Sequence, residues 1–183
     1  MGGSSMDRIC RTTICDLINL KNKHKNIVAV ISTTDIFRSE IADPNHPELW
    51  EPFDAKTIPD KDTPNYEIYK SLIKYKVMHE TLFYKLWNFY WNILQVKNFC
   101  AINNIKLFWL EVFPECSYPD AEARQHPMLA SMIKEVDLSF LMTMSIVAQT
   151  YPNPEKYCAG GHFRKEIHEI FARHLYKRLK NKI

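Results

Sequence analysis

The chain has no Cys-x-x-Cys pair, no apolar run of membrane-spanning length, no internal repeat and no low-complexity tract. Each absence removes a class of protein. Its five cysteines, Cys10, Cys15, Cys100, Cys116 and Cys158, are odd in number and scattered. That pattern fits neither a disulfide framework nor a zinc site, and it predicts packed thiols in a reducing, cytoplasmic compartment. The short apolar runs exclude a helical membrane span. Residues 1–25 are polar and charged at helical spacing, so a secretory leader is not expected. A net charge of +3 is too small to recruit nucleic acid. The basic residues near the end (Arg173, Lys177, Arg178, Lys180, Lys182) suit the negative end of a helix dipole. The other reading of that basic segment is an anionic partner. No cofactor and no metal are expected.

What remains is a globular composition. The chain has 183 residues, 46% hydrophobic and 25% charged, and is expected to form one domain over 1–183. Gly2-Gly3-Ser4-Ser5 is either a flexible appended remnant or a native turn. Residues 6–22 carry Ile9, Thr13, Ile14, Leu17, Ile18 and Leu20 on one side, predicting an amphipathic helix capped by Ser4, Ser5 or Asp7. Ile27-Val28-Ala29-Val30-Ile31 predicts a strand buried on both faces. Residues 43–64 hold five prolines and six acids. They predict a long irregular loop, either a lid over a site or a surface excursion.

Residues 65–103 repeat apolar side chains at three- and four-residue spacing, predicting helix with a break near 76–80. The aromatics there are either core or a sugar-stacking platform. A second strand is predicted over 105–113, stopped by Pro114. A short helix is predicted over 119–135, with Pro127 awkwardly inside it. Residues 137–147 fit a strand or a short helix, 151–154 a turn, and 163–179 a final amphipathic helix. Helices alternating with strands predict an α/β fold with a parallel sheet.

In open α/β sheets, ligands bind beyond the carboxyl ends of the strands. The first strand leads to Ser32-Thr33-Thr34-Asp35, then Arg38 and Glu40, and the second to Glu115 and Cys116. Arg38 with Glu40 is either a structural ion pair or a clamp for an anionic group. Gly160-Gly161 brings His162 to the mouth of the last helix, where it is either a base or an ordinary turn residue. If the Gly2–Ser5 turn is native, its backbone N–H groups open the first helix as an anion cradle. His162, His168 and His174 are six residues apart. Six residues turn a helix by roughly 240°, so they share no face and make no metal site. His168-Glu169 lacks the second histidine of a zinc-protease motif, because Ala172 stands there. Ser32 lacks the Gly-x-Ser-x-Gly elbow of a presented nucleophile. Cys116 and Cys158 could serve as thiolate partners or as packed thiols.

Three blocks carry a resemblance. Gly2-Gly3-Ser4-Ser5-Met6-Asp7-Arg8-Ile9 resembles the glycine block of phage-type SGNH (GDSL-like) hydrolases. Ser32-Thr33-Thr34-Asp35 falls where that family has Gly-x-Asn-Asp, with Thr34 at the asparagine. Gly160-Gly161-His162-Phe163 with the following helix resembles the block that bears the catalytic histidine. The resemblance implies a three-layer α/β/α domain with a parallel, flavodoxin-like sheet. It implies hydrolysis of an O-acyl or O-acetyl ester, on a small molecule or a glycan. His162 would be the base, Gly3 and Thr34 oxyanion contacts, and Ser4, Ser32, Asp35 and Arg38 substrate contacts.

The departures are as informative. There is no Gly-Asp-Ser nucleophile block, and Ala159 stands where the family's acid precedes the histidine by three residues. The chain is therefore expected to be an N-terminally truncated, catalytically incomplete member. The alternative is a non-catalytic glycan- or protein-binding module, a pseudoenzyme on the same scaffold. Loss of the family's first strands would leave the 27–31 strand as an open edge. A homodimer or a partner segment is expected to complete it.

Overall fold

A computed structural model of the chain describes residues 5–36, 38–42, 50–54, 61–62, 66–111, 125–143, 158–159, 162–163 and 165–182. Their architecture is mixed α/β. Helix α1 (Met6–Lys21) starts at Ser5, whose Oγ accepts from the Arg8 backbone N–H at 3.1 Å, and it buries Met6, Cys10 and Leu17. Ile18 and Leu20, expected on its apolar side, are exposed. Strand β1 (Val28–Ser32) follows.

The segment expected to be an irregular loop contains a hairpin strand. Strand β2 (Arg38–Ala42) pairs antiparallel with β3 (Trp50–Asp54), with Pro52 opposite Glu40. A proline costs nothing there if its missing N–H faces away from the partner, as on an edge strand. The prolines between 55 and 65 lie outside the described residues.

The long helical pattern breaks as expected. Helix α2 (Tyr66–His79) stops at Glu80, and Thr81 caps α3 (Leu82–Ile102) by accepting from the Tyr84 N–H at 3.2 Å. Helix α3 ends at Asn103, and Asn104 takes the left-handed conformation (φ 54°) that turns the chain into the next strand. Strand β4 (Lys106–Glu111) pairs parallel with β1. Helix α4 (Pro127–Val136) begins at Pro127, not around it. Proline's fixed φ and missing N–H suit the first helical position, and a bend at His126 separates this helix from the helical Gln125 before it. Strand β5 (Phe140–Thr143) resolves the ambiguity after it and pairs parallel with β4. Two two-residue strands, β6 (Cys158–Ala159) and β7 (His162–Phe163), pair antiparallel and precede α5 (Lys165–Lys180).

The sheet order is β1-β4-β5, all parallel. Strand alternation sends Ala29, Ile31, Leu107 and Trp109 to one face. There they pack with α1, α3 and α4 in the main core around Leu86, Ile93 and Leu129. Helix α3 lies between α1 and α4 and touches both. Lys97 of α3 donates from Nζ to the carbonyls of Glu135 (2.7 Å) and Val136 (3.0 Å), tying it to the end of α4. On the opposite face, Phe108, Leu110 and Leu141 meet Ile170, Phe171, Leu175 and Leu179 of α5. Arg178 of α5 donates to the Leu141 carbonyl at 2.6 Å, so this residue is a structural donor and not only a solvated charge. Helix α5 thus packs on β4 and β5. Val30 of β1 is 36% exposed, and the expectation that this strand is buried on both faces fails there. No described helix is long and apolar enough to cross a membrane.

Candidate functional site

The carboxyl end of β1 is held by two bonds to β4. The Thr33 N–H donates to the Leu110 carbonyl at 2.9 Å, and its hydroxyl donates to the same oxygen at 3.3 Å. Thr33 and Thr34 are both buried. The chain then turns tightly: the Arg38 N–H donates to the Asp35 carbonyl at 3.2 Å, and Arg38 Nη1 donates to Thr34 Oγ1 at 3.3 Å. This brings the Arg38 and Asp35 side chains to the rim of a cleft of about 450 Å³.

The cleft has three walls. One is the start of α1, through Ser5, Met6 and Asp7. The second is the β1–β2 turn with Asp35, Arg38 and Glu40. The third is α3 with the residue before its cap, through Glu80, Tyr84, Lys85, Asn88, Trp91, Asn92 and Gln95. The first two walls were among four segments expected at the strand ends, residues 114–116 and His162 being the others. The third was not. Its signal in the sequence was the recurrence of Asn88, Asn92 and Gln95 among the aromatics of this helix, at the spacing of one helix face.

Electrostatics in the cleft are mixed. Glu40, with 1% of its side chain exposed, receives Arg11 Nη2 at 3.0 Å and Arg8 Nη1 at 3.5 Å, both from α1. Glu40 is thus joined to α1 and anchors the hairpin to it. Its Oε1 is buried without a hydrogen bond. Lys85 and Glu80 pair at 3.6 Å and are largely buried. Among the described residues, no cluster of histidine, cysteine or acid side chains could hold a metal.

The remaining site residues from the sequence fare differently. Ser32 ends β1, half-buried and paired in register with Leu110, and does not line the cleft. Thr34 lies behind the wall, its hydroxyl accepting from Arg38. Gly3, Ser4, Glu115 and Cys116 lie outside the described residues. His162 is described by its backbone, which pairs with Ala159 in the β6–β7 hairpin. Ser5 is an unsuitable nucleophile, because it is buried and its oxygen caps α1. Burial pushes the Cys10 thiol up to about 12, helped by the nearby Asp7 charge, and the Cys100 thiol up to about 11. Neither is a thiolate at neutral pH. Glu111, at the carboxyl end of β4, was passed over in the sequence. It is buried, and desolvation pushes its carboxyl above the ordinary range.

Comparisons with protein-family models, with characterised proteins and with solved structures find no match in any of the three.

Proposed function

We propose that the chain is a ligand-binding α/β domain of the SGNH hydrolase type, whose cleft at the carboxyl end of β1 takes an ester-bearing ligand and does not turn it over unaided. The observation that carries this is the meeting of the α1 N-terminus with Asp35 and Arg38 in one cleft, beside no described nucleophile. The finer fold, a three-layer α/β/α sandwich of flavodoxin-like order, belongs to the same proposal. Its support is the placement of α1, α3 and α4 on one face of the sheet and α5 on the other.

The second reading is an active ester hydrolase with His162 as base and Gly3 and Thr34 as oxyanion contacts. It is favoured by the shape of the helical layer. Helices pack about 10 Å apart and strands about 4.8 Å apart, so three helices are wider than the three strands beneath them. Crossovers between parallel strands are right-handed almost without exception. With α1 on the same face as α3 and α4, a parallel strand leading into α1 belongs at the outer edge of β1. Such a strand, from another segment or a second copy, would end beside residues 32–35, where a serine could meet the cleft. Val28–Ser32 carries no charge and no proline to discourage that pairing.

Hydrolysis of p-nitrophenyl acetate separates the binding reading from a hydrolase completed within this chain or by a second copy of it. The chain and its His162→Ala variant are both expected to run at the buffer rate. A rate at neutral pH that His162→Ala abolishes would replace the binding reading with the hydrolase.

A further inference from the structure

We infer that the outer face of α3 is a stacking platform for a neutral sugar ring. This rests on reading the cleft as a binding site and names its ligand class. Tyr84, Asn88, Trp91, Asn92 and Gln95 follow one another at steps of four, three, one and three residues, which places them on one face of the helix. That face looks into the cleft, while Leu86, Ile93 and Val96 fill the core on the other side and Phe89 lies at the margin between the two.

Two aromatic residues on this face are left in water: Tyr84 is 49% exposed and Trp91 47%. Large aromatics bury about 150–250 Å² each when covered, so two half-open rings two helical turns apart along one cleft wall offer apolar area to a ligand lying along it. Trp91 is also held flat. Its ring lies 6.4 Å from that of Trp87 at 9° between planes, and Trp87 in turn stacks on Phe83 at 6.2 Å. A ring already restrained by a stacked neighbour has less rotamer freedom left to lose on binding.

The polar groups between the rings narrow the ligand. Asn88, Asn92 and Gln95 offer amides, each with donors and an acceptor. Asn92 Nδ2 donates to the Asn88 carbonyl at 2.9 Å, which fixes that amide in place. Asp7 and Asp35 stand across the cleft with Arg38. The acids lining the cleft (Asp7, Asp35, Glu40, Glu80) outnumber its bases (Arg38, Lys85), but Arg8 and Arg11 pair with Glu40 and Asp7, so the field is close to balanced and gives a phosphate or sulfate no net attraction. Flat rings for C–H faces, amides and carboxylates for hydroxyls, and no net positive field together fit a pyranose glycan.

The test is titration of the intact chain with neutral hexasaccharides (cellohexaose, chitohexaose, xylohexaose, mannohexaose), followed by tryptophan fluorescence and calorimetry. At least one is expected to bind, with affinity insensitive to salt. Trp91→Ala and Tyr84→Ala should each weaken it tenfold or more, while Trp91→Phe retains most of it. Far-UV circular dichroism should be unchanged in all three; the urea midpoint of the two alanine variants should fall modestly, because the buried half of each ring is lost, and binding is read well below the onset of unfolding. Binding that survives Trp91→Ala but falls with Asp35→Asn or Arg38→Met overturns the platform and leaves the cleft as a site. Absence of binding by all four glycans overturns the sugar inference outright. Binding that collapses between low and high salt overturns it in favour of an anionic ligand.

Discussion

Arg11 and Glu40 form an ion pair whose two partners sit in unequal surroundings, and that inequality makes a sharp prediction. Glu40 has 1% of its side chain exposed, whereas Arg11 keeps 37% and Arg8 40%. Removing one partner strands the other only where water cannot reach it. Arg11→Met leaves a buried carboxylate with Arg8 alone, at 3.5 Å, and no hydrogen bond on Oε1. The expected cost is about 3 kcal/mol, the lower end for breaking a buried pair. Glu40→Gln removes the buried charge, and both guanidinium groups can turn to solvent. Its cost is the loss of one charge-assisted hydrogen bond, about 1.5 kcal/mol.

Arg11 also pairs with Asp7 at 2.9 Å, but that pair is on the surface and contributes at most about 0.5 kcal/mol. Asp7→Asn measures it directly. Urea unfolding followed by circular dichroism gives the three values, provided the slope stays constant. The order expected is Arg11→Met first, then Glu40→Gln, then Asp7→Asn. If Glu40→Gln costs as much as Arg11→Met, unequal burial does not govern this pair and the argument fails. Because Glu40 joins β2 to α1, both larger losses should also speed amide exchange in the β2–β3 hairpin.

Among Cys10, Cys15 and Cys100, native alkylation by iodoacetamide at pH 8 should label Cys15 alone, since only that thiol is exposed. Labelling of Cys10 or Cys100 at a comparable rate would show that α1 and α3 open far more readily than their packing implies. Glu111→Gln should raise the thermal midpoint at neutral pH, with the gain shrinking toward about pH 4. The sign follows from the raised folded-state value: the native form holds its proton longer, so stability is full below the ordinary carboxyl range and declines as pH climbs through it. A gain that grows on acidification would contradict this. Leu86→Ala, at a side chain with 0% exposure, should cost about 2–5 kcal/mol in the same urea assay. A loss below about 1 kcal/mol would mean that the core of α3 is loosely packed.

Much of the framework could be read from residue order alone. Val28 to Ile31 and Leu107 to Leu110 are strand-like because β-branched and aromatic residues run together without a turn residue. The α2–α3 boundary was legible because one unbroken helix over 65–103 would span about 60 Å, too long for a domain of this size. Strand β3 was hidden by Pro52 and its acidic neighbours, whose composition is that of a loop. Only pairing with Arg38–Ala42 makes it a strand. Pro127 left the ends of the expected 119–135 helix open, because a proline can either break a helix or start one, and the bend at His126 falls there.

The cleft was half legible. That the end of β1 and the start of α1 would meet follows from how α/β units are wound. The third wall did not follow, because an aromatic at helical spacing looks the same whether it faces core or water. Tyr90 and Trp91 are adjacent, yet one is 5% and the other 47% exposed.

Helix α3 serves two masters. Its inner stripe is the keystone between α1 and α4, and its outer stripe is the wall on which a ligand would lie. A rotation of the helix by a few degrees, from enlarging Ile93 or trimming Val96, would tilt Trp91 and Asn92 by the same angle. Repacking the interior is therefore also retuning of recognition, and variants selected for thermal endurance through this helix should drift in what they hold.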